Sequence, residues 1–447
     1  MEPSNLNKVA EISSPQLSLP EWVQTNFLAM QKGLNGAASK PINLLRQSGY
    51  KSVQDSGFPS TKQEDWKYTN IAPMLKTQFE IARSLPDADA LAQGLKTALA
   101  MPAIGPRLVF VNGKFSKALS DTSKFTHKGL KLSALAESFS LSIVEKYLGK
   151  FALNDSSSFV ALNTAFVEDG SVIYVEKGTV VKEPIEIIYF TSASKSAVYP
   201  RLLVVAEENS QISIIERFIG VGEYLNNYVA EIIVGNSARV DHYKVQEESS
   251  EAFHISRIET RQDAGSVYEN HSFSFGSKLI RNEINPILEG EKAYSLLHGL
   301  NILNANQHVD NHTVLDHAKP NCDSREWYKG IYSDKSKGVF CGTIIVRQDA
   351  QKTNAFQSNQ SLLLSEDAES SSKPQLKIWA DDVKCSHGAT VGQLDSDAMF
   401  YLRSRGIPKK EAQGMLITAF AGDILGPIKI DSLKQELGEK VLAKLNA

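Results

Sequence analysis

The feature that most constrains the fold is a long series of short, strand-like segments from Gly170 to about Ala380. β-branched and aromatic residues recur there in short runs, which Gly, Asn, Ser and Asp separate. Similar turn-plus-strand segments begin at Asn209, Asn236 and Gly265, which are 27 and 29 residues apart, and a more distant copy begins at Gly170. This recurrence favours a β-solenoid, in which each coil buries its apolar face on the next. A β-sandwich with chance similarity is the alternative.

The segments before and after this region are helical in character. Ser18–Glu21 and Thr61–Glu64 each carry the Ser/Thr-x-x-Glu capping-box pattern, which predicts helix starts. The Ala- and Leu-rich segment Asp87–Ala100 predicts a further helix. Asn112-Gly113, between two strand-like runs, predicts a hairpin. One or two helices are expected between Leu132 and Phe166.

The C-terminal segment predicts three helices. The first spans Ser396–Arg405 and is ended by Gly406 and Pro408. The apolar stripe predicted for the second consists of Ala412, Met415, Leu416, Ala419, Phe420 and Ile424. The stripe predicted for the third consists of Leu433, Leu437, Val441 and Leu445.

These patterns predict a mainly β protein with three parts. Residues 1–100 form an N-terminal helical domain. Residues 101–380 form the β-solenoid core, with a helical insertion near 132–166. Residues 381–447 form the last β-coil and a C-terminal helical domain.

Composition and charge exclude several classes of function. Hydrophobic residues make up 42% and charged residues 22% of the 447 residues, as in an ordinary globular protein. A net charge of −3 without a basic tract does not favour binding to nucleic acid or to a membrane surface. The start of the chain lacks a secretory signal and no apolar run is long enough to span a bilayer, so we expect a cytoplasmic protein.

The three cysteines, Cys322, Cys341 and Cys385, do not form a disulfide framework or a Cys-x-x-Cys pair. Sparse free thiols are typical of a reducing compartment. Three thiols are too few to provide four cysteine ligands to an iron–sulfur cluster. If such a cluster is involved, another chain or another type of ligand must contribute.

The most unusual local sequence contains Cys385 and His387. In a strand, residues two apart lie on the same face, so the thiol and the imidazole would be neighbours. Both groups are suitable ligands for iron or zinc. Two ligands form only part of a coordination shell, which predicts a shared or transient site. A nucleophile–base pair and a structural role are the alternatives.

A second group of metal-ligand residue types occurs in the strand-like region. Spacings of four and five residues do not place these side chains on one face of a strand, so structural roles are favoured over a metal site. The group consists of His308, His312, His317 and Cys322, with Asp310 and Asp316 among them.

Motifs of common enzyme classes are absent from the sequence. There is no Walker A loop, no nucleophile elbow, no His-Glu-x-x-His and no Rossmann fingerprint. We therefore expect a non-enzymatic chain, and any ATP-driven step would need a separate ATPase. A carbohydrate-active β-helix enzyme is a remote alternative, because it would need clustered carboxylates on one face and usually a secretion signal.

Several motifs resemble the SufB/SufD family of iron–sulfur cluster assembly proteins. The run Ala380–Gln393 and the following Met399–Ile407 resemble the family's C-terminal signature. Ala350–Thr353 and Gln360–Ser365 are similar to family segments, and Glu64–Thr69 resembles the N-terminal motif of the SufD branch. The tripeptide Cys385-Ser386-His387 and the small number of cysteines also favour the SufD branch.

The resemblance implies a right-handed parallel β-helix core and a scaffold role without catalysis. It implies assembly with a SufB-like sister chain and a SufC-like ABC ATPase. The edge of a lone β-helix also leaves a homodimer of the isolated chain open. His387, with Cys385 beside it, would hold a nascent iron–sulfur cluster shared with the sister chain, and the isolated chain would bind none stably. A purely structural partner of SufB is the main alternative. The residues expected to bind the ATPase are Phe400, Tyr401, Arg403, Arg405, Gly406 and Ile407.

Overall fold

A computed structural model shows a parallel β-solenoid with helices at both ends of the chain. The structure describes residues 16–33, 40–82, 91, 94–95, 104–122, 127–192 and 194–446. Within these ranges, no helix is long and apolar enough to cross a membrane.

Two sheets form the walls of the solenoid within the described residues. Sheet 1 has twelve strands. They are β1 (Glu80–Ile81), β4 (Leu130–Ala134), β5 (Gly170–Val175), β7 (Ser196–Val198), β8 (Arg201–Ala206), β10 (Tyr224–Val234), β12 (Phe253–Gln262), β14 (Leu279–Leu288), β16 (His308–His317), β18 (Lys337–Val346), β20 (Glu369–Ser372) and β21 (Gln375–Ile378).

Sheet 2 has ten strands in the same part of the chain, and the two sheets alternate along the sequence. Its strands are β2 (Arg107–Val111), β3 (Lys114–Phe115), β6 (Ile185–Thr191), β9 (Gln211–Gly220), β11 (Arg239–Glu247), β13 (Val267–Ser274), β15 (Tyr294–Leu303), β17 (Asp323–Tyr332), β19 (Asn354–Leu363) and β22 (Lys384–Gly392). The strand order confirms the solenoid and excludes the sandwich alternative.

Successive coils stack in parallel register. In sheet 2, register partners from Gln211 to Lys384 are 27 to 31 residues apart. The same turn of each coil carries one residue with positive φ. These residues are Asn209, Ser237, Gly265, Lys292, Asn321 and Lys352. The repeat predicted from Asn209, Asn236 and Gly265 is therefore the coil period.

Two other sequence predictions concern the first coils. The Asn112-Gly113 hairpin is confirmed, because β2 and β3 pair antiparallel and both turn residues have positive φ. The copy proposed at Gly170 is wrong as an equivalent repeat, because β5 lies in sheet 1 and pairs with β8, whereas the other three copies precede strands of sheet 2.

The apolar core of the solenoid fills the space between the two sheets. It runs from Leu108 and Ile187 in the first coils, through Leu202 and Ile284, to Ala355 near the last coil. Because the sheets enclose this space, inward-facing residues alternate with outward-facing ones along each strand. The interior also contains many buried polar side chains, such as Glu216 and His242.

The helices lie outside the solenoid, and all of them except Ser396–Ser404 pack on its outer faces. They are α1 (Glu21–Lys32), α2 (Pro41–Ser56), α3 (Ala72–Lys76), α4 (Ser142–Tyr147), α5 (Ser158–Phe166), α6 (Ser396–Ser404), α7 (Lys409–Leu425) and α8 (Asp431–Asn446). Short 3₁₀ turns occur at Glu64–Trp66 and Leu135–Glu137. The helical insertion expected near 132–166 is present as α4 and α5.

The two predicted capping boxes are wrong. Helix α1 begins after Pro20 without a side-chain cap, so Ser18 does not cap it. Thr61 precedes only a 3₁₀ turn, whose first flanking residue is Gln63. The conformation of this segment is determined by the tertiary packing of Trp66, because the Trp66 ring is buried against the solenoid. Most of the helix predicted over Asp87–Ala100 lies outside the described residues.

The C-terminal helices α7 and α8 pack on the outer face of sheet 2. The stripe predicted for α8 is confirmed for Leu433, Leu437 and Val441, and the side chain of Leu445 lies outside the described residues. Of the stripe predicted for α7, Ala412 and Ile424 are buried as predicted, whereas Met415, Leu416, Ala419 and Phe420 are not. The buried residues of α7 are Ala412, Ile417, Ala421, Ile424 and Leu425. This helix carries apolar residues on several of its sides, so the position of the sheet that it contacts determines which side is buried.

A buried ion pair fixes the helical insertion on sheet 1. Arg201 donates to Glu231 at 2.6 Å, and their side chains are 1% and 0% exposed. The same carboxylate accepts hydrogen bonds from the backbone N–H groups of Gly149, Phe151 and Ala152. Arg201 also donates to Asn163 of α5.

We predict that Glu231→Ala lowers the free energy of unfolding by about 3–5 kcal/mol, because it leaves Arg201 buried without a counter-charge. Urea denaturation followed by circular dichroism measures the change. Glu208→Ala is the matched control, since its pair with Lys177 is exposed and contributes roughly 0–1 kcal/mol. Equal shifts in the two variants would contradict this account.

Candidate functional site

The last coil of the solenoid presents an open strand edge. Strand β22 pairs with β19 on one side, and no strand of the described residues pairs with its other side. Every residue of β22 is exposed except Cys385, which is half-buried. Unpaired backbone donors and acceptors on a strand edge favour addition of another chain. This end of the molecule is therefore suited to an interface.

Cys385 and His387 share one face of β22, as their spacing predicts, and that face is the solenoid interior. Their register partners in β19 are Ala355 and Gln357, both completely buried inward-facing residues. Since no further coil covers β22 in the described chain, His387 is exposed although it lies on the inner face. The two side chains thus line the open mouth of the solenoid.

The two candidate ligands differ in their environment. Cys385 packs against the end of the apolar core, and this burial raises the pKa of its thiol. All three cysteines are free thiols, and Cys322 and Cys341 are buried. At a given pH, a larger fraction of Cys385 is therefore protonated than of an exposed thiol. His387, in contrast, is accessible to a partner.

Two buried polar residues beneath His387 were missed by sequence reasoning. Gln357 Nε2 donates to Glu326 Oε2 at 2.6 Å, and both residues are 0% exposed. Burial raises the pKa of Glu326 to about 7. No local sequence signal marks these residues, because only the register of β17, β19 and β22 aligns them with His387.

The mouth of the solenoid also exposes apolar side chains that the sequence reasoning did not select. Ile378, Trp379 and Val391 are 38%, 50% and 49% exposed. Ile378 and Val391 lie in strands of the last coil and Trp379 follows β21, so the coil itself exposes apolar surface that favours contact with another protein.

Helix α6, which follows the open coil, has no buried residue. Phe400 and Tyr401 are 75% and 57% exposed, and the guanidinium of Arg405 lies 5.3 Å from the centroid of the Tyr401 ring. Gly406, with a φ of 84°, ends the helix as predicted. Arg403 is also exposed and Ile407 is half-buried. The residues predicted to contact an ATPase thus lie on one exposed helix and its C-terminal turn.

Comparison with protein families gives a match over most of the chain. The model described as "SUF system FeS cluster assembly, SufBD core domain" matches residues 189–420. The model described as "SufBD protein N-terminal region" matches residues 23–187. The chain belongs to the SufB/SufD family. Its role is therefore in iron–sulfur cluster assembly.

Curated relatives agree with this SufB/SufD membership. An iron–sulfur cluster assembly SufBD family protein of Synechocystis is 34% identical, with 93% of each chain covered. Iron–sulfur cluster assembly protein SufD of Escherichia coli is 31% identical, over 89% of this chain and 92% of the relative. The SufD protein of Bacillus subtilis is 27% identical, over 88% and 91%. The predicted resemblance to the SufD branch is confirmed.

The second group of histidines does not form a metal site. His308 lies within 3.0 Å of Thr69, and His312 faces Asp65 on the outside of sheet 1. His317 points to the interior, where it lies 2.9 Å from Ser324 Oγ. The described residues contain no group of three or more potential ligands with metal-binding geometry. The structural roles favoured by the spacing are therefore the better account.

We predict that Cys385 is the first thiol of the native protein to be alkylated by iodoacetamide, because the other two are buried. Its reaction at pH 7 is slower than that of a free thiol and accelerates as pH rises, since its pKa is raised. Mass spectrometry of time points measures the order, and Cys385→Ser is the control. Faster labelling of Cys341 would contradict the prediction.

Proposed function

We propose that this SufB/SufD chain is a scaffold subunit that pairs with a SufB-like sister chain at its open last coil and assembles nascent iron–sulfur clusters there. The observation that carries the proposal is the mouth of the solenoid. It combines an unpaired strand edge, exposed apolar side chains and the inward-facing pair of Cys385 and His387. A sister coil added to this edge would cover all three features.

In this proposal, His387 is a ligand of a cluster that is transient cargo shared with the sister chain. An imidazole is a good ligand for iron when it is neutral. The imidazole of His387 is exposed at the mouth. Cys385 is the second candidate donor, and its thiol must lose a proton before it binds a metal. Two donors do not complete a coordination shell, so the isolated chain would hold no cluster stably.

The exposed helix α6 is the proposed contact with a SufC-like ABC ATPase. Aromatic and arginine side chains are the types that contribute most to protein interfaces. Phe400, Tyr401, Arg403 and Arg405 are exposed together, next to the turn at Gly406 and Ile407. ATP hydrolysis would then be supplied by the partner, and this chain would be non-catalytic.

A purely structural role is the second candidate. The open edge and the apolar side chains of the last coil would support pairing with a SufB-like chain even if His387 bound nothing. Under that account the chain fixes the geometry of its sister, and the ligands all come from the sister. Only a variant that preserves the interface and removes the imidazole separates the two accounts.

A carbohydrate-active function has less support. Clustered carboxylates and arginines do occur on the outer face of sheet 1, but they neutralise each other. Glu283 pairs with Arg257 and Arg281, and Asp310 pairs with Arg281. The ring of Trp66 covers Arg281, so these carboxylates are not open to a glycan.

Three further assignments belong to the proposal. The free edge of β22 is equally available to a second copy, so the isolated chain would form a homodimer. Free thiols fit a cytoplasmic location. The net charge of −3 fits protein partners better than nucleic acid.

We predict that His387→Ala leaves co-purification with the SufB-like and SufC-like chains intact but lowers cluster formation on the complex at least about tenfold. The imidazole is lost while the strand edge is kept. Anaerobic reconstitution with ferrous iron and sulfide, followed by absorption and Mössbauer spectroscopy, measures the yield. Thr390→Ala, on the outward face of the same strand, is the matched control. Normal yield in His387→Ala would leave the purely structural role.

We predict that Phe400→Ala weakens binding of the SufC-like ATPase by about 30-fold, the effect of losing roughly 2 kcal/mol at an interface centre. The side chain of Phe400 is not packed against the rest of the chain, so the substitution should not change the thermal stability of the protein. Surface plasmon resonance measures the affinity. Met415→Ala on α7, where the side chain is about half exposed, is the control. Unchanged affinity in Phe400→Ala would place the ATPase elsewhere.

A further inference from the structure

Three side chains form a column that ends at the mouth of the solenoid. Glu326 in β17, Gln357 in β19 and His387 in β22 are register partners on adjacent parallel strands. All three lie on the inner face, and neighbouring strands are about 4.8 Å apart. The column therefore leads from a completely buried carboxyl, through a completely buried amide, to an exposed imidazole.

The hydrogen bonds of this column are incomplete in one direction. The amide group of Gln357 donates through Nε2 to Glu326, whereas its carbonyl Oε1 has no partner. A buried carbonyl without a donor is unfavourable by about 1–3 kcal/mol, so it is rarely left unpaired. The next side chain of the column toward the mouth is His387, whose ring carries an N–H donor.

The hydrogen bond to Glu326 determines the orientation of the Gln357 amide. Glu326 forms no ion pair with any described residue, and its carboxyl oxygen accepts from the amide N–H. With the Glu326 carboxyl ionised, turning the amide around would place two oxygens against each other and lose the 2.6 Å hydrogen bond. The free acceptor of Gln357 is thereby directed away from Glu326.

We propose that Gln357, oriented by Glu326, is a positioning residue whose Oε1 accepts the N–H of the His387 imidazole. This inference rests on the proposed ligand role of His387. An imidazole that binds a metal through one nitrogen generally donates its other N–H to a carbonyl or carboxylate. The relay thus selects which ring nitrogen faces the sister chain and restricts the rotation of an otherwise exposed side chain.

The same strand provides a matched comparison for this role. Asn359 lies two residues from Gln357 on the same inner face, is also buried, and is the register partner of Ala389, which has no donor in its side chain. A change at Asn359 alters the polarity of the interior to a similar extent but does not reach His387.

The experiment is imidazole ¹⁵N NMR of the isolated full-length chain, with the signals of the nine histidines distinguished by His387→Ala. In the wild type, His387 should show one dominant neutral tautomer and a ring N–H that exchanges slowly with water. Gln357→Met, similar in size but without a carbonyl acceptor, should move the ¹⁵N shifts toward those of an unstructured peptide. Asn359→Leu should leave them unchanged.

Variants of Glu326 test the lower part of the relay. Glu326→Gln keeps an acceptor oxygen for the Gln357 amide and should retain the wild-type tautomer, whereas Glu326→Met should behave like Gln357→Met. In the complex with the SufB-like and SufC-like chains, Gln357→Met should increase the rate of iron loss to a chelator about 10- to 100-fold, as expected for a group that orients a ligand.

The outcomes separate this inference from the proposed function. If His387→Ala assembles clusters normally, the ligand role is lost, and the NMR of the isolated chain still decides whether the hydrogen bond exists. If Gln357→Met leaves the His387 shifts unchanged, the relay is overturned whatever the cluster yield. Should the variants fail to fold, a wild-type His387 with two mixed tautomers and rapid N–H exchange overturns it equally.

Discussion

The structure depends on one constraint, the need of every backbone N–H and C=O in a parallel coil to pair with a neighbouring coil. Inside the solenoid this need is met on both sides, from β9 through β19 in sheet 2. At β22 it is met on one side only. The terminal coil is therefore an incomplete structure that another chain can complete, and the candidate site occurs where pairing stops.

The helices leave this end of the molecule open. Helices α7 and α8 cover the outer face of sheet 2, and the insertion formed by α4 and α5 covers the early coils of sheet 1. The inward-facing side chains are buried up to β19, where Ala355 and Gln357 are the last ones that a further strand covers. As a result, interior-facing residues become exposed at only one described coil. This places a ligand-type side chain, His387, against a polar buried support and in front of a prospective partner.

Local sequence signals predicted this fold where the local conformation is independent of packing. The Asn112-Gly113 hairpin was predicted correctly, because few other residues adopt its backbone angles. The coil turns were only partly recognisable, because Lys292 and Lys352 occupy the same positive-φ position as Asn209 and Gly265. The capping boxes and most of the α7 stripe were predicted wrongly, since packing against the solenoid overrides a weak local preference. Spacing also placed Cys385 and His387 on one face, although it did not show that this face is the interior.

The sequence by itself determined the family, the coil period, and the pairing of a thiol with an imidazole on one strand. These properties follow from residue identity and from the two-residue alternation of a strand. Only the tertiary structure decided that this strand is the open edge, and that Glu326 and Gln357 lie beneath His387. Residues 30 or 31 positions apart in the chain become neighbours through the stacking of coils, and no local pattern carries that information.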